Sequence, residues 1–124
     1  MKNAILILSD PDSGTQEALA RAYNGCAFAY DCVEMGDDVV IVFLGTGARW
    51  PIELEKEDCP VHSVYERVKD KVAGVSKECA VVFGVEDALK KLNYKFLTDN
   101  NLPDTTGLAS ARNLIEDGYT VSTF

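Results

Sequence analysis

The chain has 124 residues, a length typical of one domain that can bury enough surface to fold without a disulfide or a metal. Asp and Glu number 20 against 12 Lys and Arg, and the resulting net charge of −8 argues against nucleic acid or an anionic membrane as a partner. The apolar run at residues 4–8 is too short to be the apolar core of a signal peptide. No stretch approaches the ~20 apolar residues that a membrane-spanning helix requires, so we expect a cytoplasmic protein.

Predicted strands and helices alternate from end to end, without a linker or a repeat. Apolar runs predict strands at 3–9, 38–44, 72–75, 94–97 and 119–124. Of the predicted helices, the first begins at a cap within residues 12–15 and ends at Gly36, and the second covers 61–71. The third follows a cap at Ser76, and the fourth covers 86–92. The fifth runs from a cap at Thr106 to Gly118. Residues 45–57 are predicted to be a long loop. The pattern predicts a single domain, residues 1–124, with a doubly wound three-layer α/β/α fold and a mainly parallel sheet of about five strands.

The long first helix carries a pattern that bears on assembly. At about 100° per residue, one stripe is apolar: Leu19, Ala22, Tyr23, Cys26, Tyr30 and Val33. A flank of small residues would let another backbone approach closely: Ala18, Gly25, Ala29 and Cys32. Phe28 stands amid polar residues and is either an ordinary exposed aromatic or a contact with another subunit. We take this face as the hypothesis for a homo-oligomer.

The four cysteines stand at positions 26, 32, 59 and 79. They include no Cys-x-x-Cys pair and no zinc-like spacing. In a reducing compartment we therefore expect free thiols rather than a disulfide framework. No motif predicts a metal site or a cofactor.

Three loops are expected to meet beyond the carboxyl ends of the strands, where open α/β sheets bind ligands. They cover residues 9–14, 45–50 and 76–79. The first contains Ser9 and Asp10 and opens a helix, but it lacks phosphate-loop spacing and its aspartates would repel phosphate. It is therefore either a helix-capping turn or a polar pocket wall.

The second loop combines Gly45, Gly47, Arg49 and Trp50. The glycines permit a tight backbone, and the arginine supplies a fixed cation that could hold an anion or raise the thiolate fraction of Cys79. The alternative is a loop whose indole ring fills a gap in its own subunit or in a neighbouring one.

The third loop precedes Cys79, which we place in the first turn of a helix that begins after Ser76. Unpaired amide groups and partial positive charge at a helix start favour a thiolate. The alternative is a small buried apolar residue. Cys26 and Cys32 are expected to be packing residues, and nothing near Cys59 in the sequence activates it.

His62 is the only histidine and stands at a predicted helix start. A role as the base for Cys79 would require its ring to lie near that thiol and to be held by a partner. The alternative is a partly exposed helix-start residue. No Ser-His-Asp arrangement or carboxylate pair stands out.

An ordered set of motifs resembles the DsrE/DsrF-like family along essentially the whole chain. The motifs are Ser-Asp-Pro-Asp-Ser-Gly at 9–14, Gly-Asp-Asp-Val-Val-Ile-Val-Phe at 36–43, Gly-Ala-Arg-Trp-Pro at 47–51, Val-Ala-Gly-Val at 72–75, Cys-Ala at 79–80, Phe-Gly-Val at 83–85 and Gly-Tyr-Thr-Val-Ser-Thr-Phe at 118–124. The resemblance implies a small cytoplasmic α/β domain that forms homo- or hetero-oligomers, often trimers or hexamers. Characterised relatives carry sulfur as a cysteine persulfide and pass it to partner proteins in sulfur oxidation or tRNA thiolation.

The resemblance also locates the cysteine that carries sulfur. Many relatives have Cys-x-x-Cys-Ala before Phe-Gly-Val and use the first cysteine as the carrier. That position is Ser76 in this chain, and only the second cysteine remains, as Cys79. A hydroxyl cannot form a persulfide, so Cys79 would have to take over the role.

The leading hypothesis is a sulfur-relay protein in which Cys79 accepts and hands on sulfane sulfur, with donor and acceptor proteins as partners. The helix start after Ser76 would stabilise the thiolate, and Arg49 with its glycine loop would shape the pocket; whether this amounts to an enzyme stays open. The rival hypothesis is a non-catalytic module that binds a small ligand or a partner and has Ser76 and Cys79 in its pocket lining. A third hypothesis places a mononucleotide at residues 9–14.

Overall fold

A computed structural model describes residues 1–124 and contains one sheet of five parallel strands. The strands are β1 (Lys2–Ile7), β2 (Asp38–Phe43), β3 (Val72–Ser76), β4 (Phe96–Leu97) and β5 (Thr120–Thr123). Their order across the sheet is β4-β3-β2-β1-β5. Every predicted strand is present, and the sheet is wholly parallel.

Six α-helices cover the two faces of the sheet. They are α1 (Gln16–Glu34), α2 (Trp50–Leu54), α3 (His62–Val68), α4 (Lys77–Val82), α5 (Glu86–Lys91) and α6 (Ala111–Glu116). The main core cluster takes residues from α1 to α5, whereas the smaller cluster on the other face is packed by α6. The predicted three-layer α/β/α fold is therefore confirmed. None of the helices combines the length and the apolar character needed to cross a membrane.

Strand β1 shows why the strands of this sheet appear in the sequence as continuous apolar runs. Its side chains alternate between the two clusters, with Ile5 and Ile7 in the main one and Ala4 and Leu6 in the smaller one. All four are buried. A strand that is covered on both faces has no position left for a polar side chain, so the period-2 signal disappears.

The small residues of α1 pack against the sheet of their own chain. Gly25 is buried, and a Cβ there would lie 3.2 Å from a side-chain atom of Ile7 and 3.4 Å from the ring of Phe124. The ring of Phe28, which is half-buried, lies 6.0 Å from that of Phe124. Close helix–sheet packing accounts for Gly25 and for part of the burial of the Phe28 ring, and a subunit contact at this face stays a prediction.

Two helix boundaries differ from the prediction. Residues 45–57 are not a loop: a 3-10 turn over Gly45–Arg49 leads directly into α2. Pro51 lies in the first turn of α2, where its missing N–H costs nothing. Helix α6 begins after Ser110, whose hydroxyl accepts a hydrogen bond from the Asn113 amide, and not after Thr106.

A buried polar network joins α2 and α3 to the segment before β4. Tyr94 donates a hydrogen bond from its hydroxyl to Glu55 over 2.6 Å, so the neighbouring hydroxyl of Tyr65, 2.5 Å away, donates to Tyr94. Lys69 forms an ion pair with the same carboxylate oxygen. Burial raises the pKa of both phenols, which therefore stay protonated as donors.

Replacement of Tyr94 by Phe should lower the free energy of unfolding by about 1–3 kcal/mol, because the Tyr65 hydroxyl and Glu55 each lose a partner. Urea unfolding at neutral pH measures the change. Tyr119→Phe is the matched control, since it removes an exposed bond from Tyr119 to Asp38 and should change stability by less than about 0.5 kcal/mol. Equal effects of the two substitutions would contradict the role of the network.

Glu55 should make stability sensitive to acid. Burial raises the pKa of its carboxyl, but hydrogen bonds from Lys69 and Tyr94 lower it by more, so the pKa lies below the ordinary 4.5. The stabilisation from this group is therefore complete above about pH 4.5 and is lost as the pH falls from there through the folded-state pKa.

Urea midpoints of wild type and Glu55→Gln, measured from pH 7 down to pH 3, test this dependence. The glutamine variant should start less stable and lose less stability on acidification than the wild type does. Glu66→Gln, at an exposed position on α3, should follow the wild-type curve. Parallel curves for wild type and Glu55→Gln would sink the prediction.

Candidate functional site

The loops after β1 and β2 meet at the carboxyl edge of the sheet, as predicted. The Trp50 indole donates a hydrogen bond to the Ser9 hydroxyl over 3.0 Å, and Arg49 donates to the Asp10 carboxylate over 3.1 Å. Thr46 donates its hydroxyl proton to the Leu8 carbonyl over 2.8 Å. The side chains of the two loops therefore form one connected polar surface.

The two glycines of the second loop make this approach feasible. Gly45 has a φ of +58°, which places it in the left-handed region that favours glycine. Gly47 is buried, and a Cβ there would lie 2.0 Å from the carbonyl oxygen of Ile7. Any other residue at this position would push the turn away from β1 and displace the arginine and tryptophan that follow.

Arg49 is the centre of the polar surface. Its guanidinium pairs with Asp10 over 3.1 Å and with Asp12 over 3.3 Å, and it lies 5.0 Å from the centre of the Phe83 ring. Because the two carboxylates occupy much of its hydrogen-bonding capacity, it is not a free anion site. The sequence shows Asp12 only as part of an acidic loop and gives no sign of Phe83, because the contact of Phe83 with Arg49 depends on the tertiary fold.

Trp50 fills a gap within its own subunit. Its side chain is 3% exposed, and its N–H is satisfied by Ser9, whose hydroxyl in turn donates to the Ala18 carbonyl over 3.2 Å. The indole thus fastens the start of α1 to the loop after β2.

Ser76 is buried and does not cap α4. Its hydroxyl accepts a hydrogen bond from the amide of Ala109 over 3.0 Å and makes no capping bond to the helix that follows it. The first turn of α4 is held instead by residues of the 98–110 segment. The Glu78 amide donates to the Gly107 carbonyl over 2.8 Å, and the Glu78 carboxylate accepts from Thr106. At least one amide of this helix start is therefore already paired.

Cys79 lies in the first turn of α4, as predicted, and is half-buried against the main core cluster. Phe83 follows four residues later, so the two side chains lie on one face of the helix. Arg49 stacks on Phe83, at the C-terminal end of α4.

The four cysteines, all free, differ in access to solvent. Cys26 and Cys32 are buried, whereas Cys59 and Cys79 are half-buried. Burial and the nearby Cys59 raise the pKa of Cys26 to about 12, and burial together with Asp37 raises that of Cys32. Cys26 and Cys32 are therefore poor candidates for thiolate chemistry.

His62 is tied to α2. Its Nδ1 lies 2.6 Å from the Leu54 carbonyl oxygen, and no hydrogen bond joins it to Cys79. This partner orients the ring as a brace between α2 and α3.

A cavity of about 390 Å³ lies behind Trp50. Its walls come from the loop after β1, the start of α1 and the segment 53–60. Cys59 is part of its lining; Ser76 and Cys79 are not. The structure therefore separates two features that the rival hypothesis combined, the cavity and the Ser76–Cys79 pair.

The chain matches no protein-family model and no solved structure. It is 32% identical over 94 residues to the uncharacterized protein MJ0733 of Methanocaldococcus jannaschii, and the match covers 76% of this chain and 72% of that protein. At this identity and coverage, the chain belongs to the same family as MJ0733.

Proposed function

We propose that the chain is a DsrE-like cytoplasmic protein that carries sulfane sulfur as a persulfide on Cys79. The observation that carries the proposal is the position of this thiol: it is half-buried in the first turn of α4, at the carboxyl edge of the sheet, whereas Cys26 and Cys32 are buried. The motif resemblance implies sulfur transfer through a cysteine persulfide, and the position of Cys79 provides an accessible thiol for this chemistry.

The reaction is an exchange of sulfur between thiols. The Cys79 thiolate attacks the outer sulfur of a donor persulfide; the donor S–S bond breaks, an S–S bond forms on Cys79, and the donor leaves as a thiolate. No net oxidation or reduction occurs.

Partner proteins would reach Cys79 over the outer surface of α4. Val81 and Val82 follow the cysteine on this helix and are 40% and 65% exposed. Neighbouring apolar side chains at the surface are typical of a contact with another protein. We propose that sulfur donors and acceptors dock here, and that the chain forms a homo-oligomer with an even number of subunits; of the trimers and hexamers that the resemblance implies, the hexamer fits this number.

Incubation with a low-molecular-weight persulfide should add the mass of one sulfur atom to the intact chain, and peptide mass spectrometry should place it on Cys79. The substitution Cys79→Ser should abolish the addition. Cys59→Ser is the matched control, since it removes the other half-buried thiol and should leave the addition unchanged. Sulfur on Cys59, or on no cysteine, would refute the proposal.

A second candidate function is the binding of a small ligand in the cavity behind Trp50. Its volume of about 390 Å³ falls in the range of known ligand pockets. It lies where the loops after β1 and β2 meet, the usual position of a ligand in an open α/β sheet. The start of α1 lines it and offers partial positive charge to an anionic group, whereas Lys56 in the lining is ion-paired with Glu53 over 3.0 Å and lies beside Asp58.

Adenosine monophosphate is a suitable probe of this second function. If it binds in the cavity, it should raise the melting temperature by mass action, with about 2.7 kcal/mol of added stability at a hundredfold excess over Kd. It should also change the emission of Trp50, the only tryptophan, which lines the cavity. An unchanged melting temperature and emission would count against a nucleotide ligand and would not affect the persulfide test.

A further inference from the structure

The two edges of the sheet differ in how they are protected. The β4 edge is two residues long and is preceded by Lys95, and short length and lysine are common devices against pairing with another chain. The β5 edge is four residues long, Thr-Val-Ser-Thr, with no charge and no proline. It pairs with β1 in continuous register, without a bulge. The β5 edge therefore has none of these protective devices.

Strand β5 presents unpaired backbone groups to the outside. The Phe124 amide donates to the Leu6 carbonyl and the Phe124 carbonyl accepts from Leu8, each over 2.8 Å, so this residue faces β1. Backbone groups alternate in direction along a strand. Ser122 therefore also faces β1, and the N–H and C=O groups of Val121 and Thr123 point away from the sheet.

We propose that β5 pairs antiparallel with β5 of a second copy of this chain, about a two-fold axis through Ser122. In this arrangement Val121 exchanges its N–H and C=O with the partner's Thr123, and the same bonds form on the other side of the axis. The outward groups lie two residues apart, symmetrically about Ser122, so the edge is complementary to itself. The two five-stranded sheets become one of ten strands.

Charge favours a second copy at this edge. Two chains with a net charge of −8 each repel one another over most of their surfaces. No side chain of residues 119–124 carries a charge, so the pairing strands meet without repulsion. The groove beside β5 is likewise apolar at its centre, where the rings of Phe28 and Phe124 lie 6.0 Å apart, and Asp31 is the one acidic residue in its lining.

The test is Thr123→Pro, with mass measured by light scattering. The Thr123 side chain is exposed and its N–H points outward, so proline removes a bond to the second copy and none to β1. The wild type should be a dimer of twice 13.5 kDa or a larger even assembly, and the substitution should halve its mass. Thr123→Val keeps the N–H and should keep the wild-type mass.

Two mass results would overturn the proposal: a wild type that is a monomer or an odd-numbered assembly, and a Thr123→Pro variant that folds but keeps the wild-type mass. If the wild type were a monomer, the β5 edge would be open to pairing with a strand of another protein.

If the Thr123→Pro variant does not fold, hydrogen exchange of the backbone amides in the wild type tests the pairing of β5. The amides of Val121 and Thr123 should exchange more slowly at high protein concentration than at low, whereas that of Ser122, which faces β1, should not depend on concentration. Equal exchange of Val121 and Thr123 at both concentrations would also overturn the proposal.

Discussion

The site depends on one close backbone contact, between the turn after β2 and the end of β1. Gly47 lies so near the Ile7 carbonyl that a Cβ there would overlap its oxygen, and the Leu44 amide donates to the same carbonyl over 3.2 Å. This contact fixes the direction in which the chain leaves β2. Arg49 and Trp50 follow within three residues, so their hydrogen bonds to Asp10 and Ser9 are a consequence of the glycine. The Thr46 hydroxyl adds a third hydrogen bond between the two loops, to the Leu8 carbonyl.

The environment of Cys79 is set by residues far from it in sequence. The segment before α6 holds the start of α4 by accepting the Glu78 amide at Gly107 and by supplying the Ala109 amide to Ser76. An amide that is paired in this way cannot also stabilise a thiolate, so the short α4 contributes less than a free helix start would. Arg49 stacks on Phe83, four residues beyond Cys79, and its charge is balanced by Asp10 and Asp12.

The sequence predicts what local pattern controls and misses what distant contacts decide. The apolar run of β1 sufficed to identify it, because a short run that is bounded by turn residues is typical of a strand covered on both faces. Helix α2 was missed because two glycines and Pro51 are typical of a loop, and only the packing of Trp50 shows that a helix forms there. The Thr106 cap was wrong for the same kind of reason: its hydroxyl bonds to Glu78, 28 residues earlier. Motif position alone placed Cys79 correctly in a first turn, but not the Arg49–Phe83 stack beside it.

The order of the strands keeps the two proposed surfaces apart. Cys79 follows β3, and β5 lies three strands away on the far side of β1. Pairing through β5 thus leaves the outer face of α4, with Val81 and Val82, open to a sulfur donor. In a ten-stranded sheet, seven strand spacings separate the two copies of β3, which is roughly 34 Å at ~4.8 Å per spacing. A persulfide cannot pass directly between thiols at that distance, so each copy would have to exchange sulfur with its own partner protein, and the dimer would serve to present two independent sites.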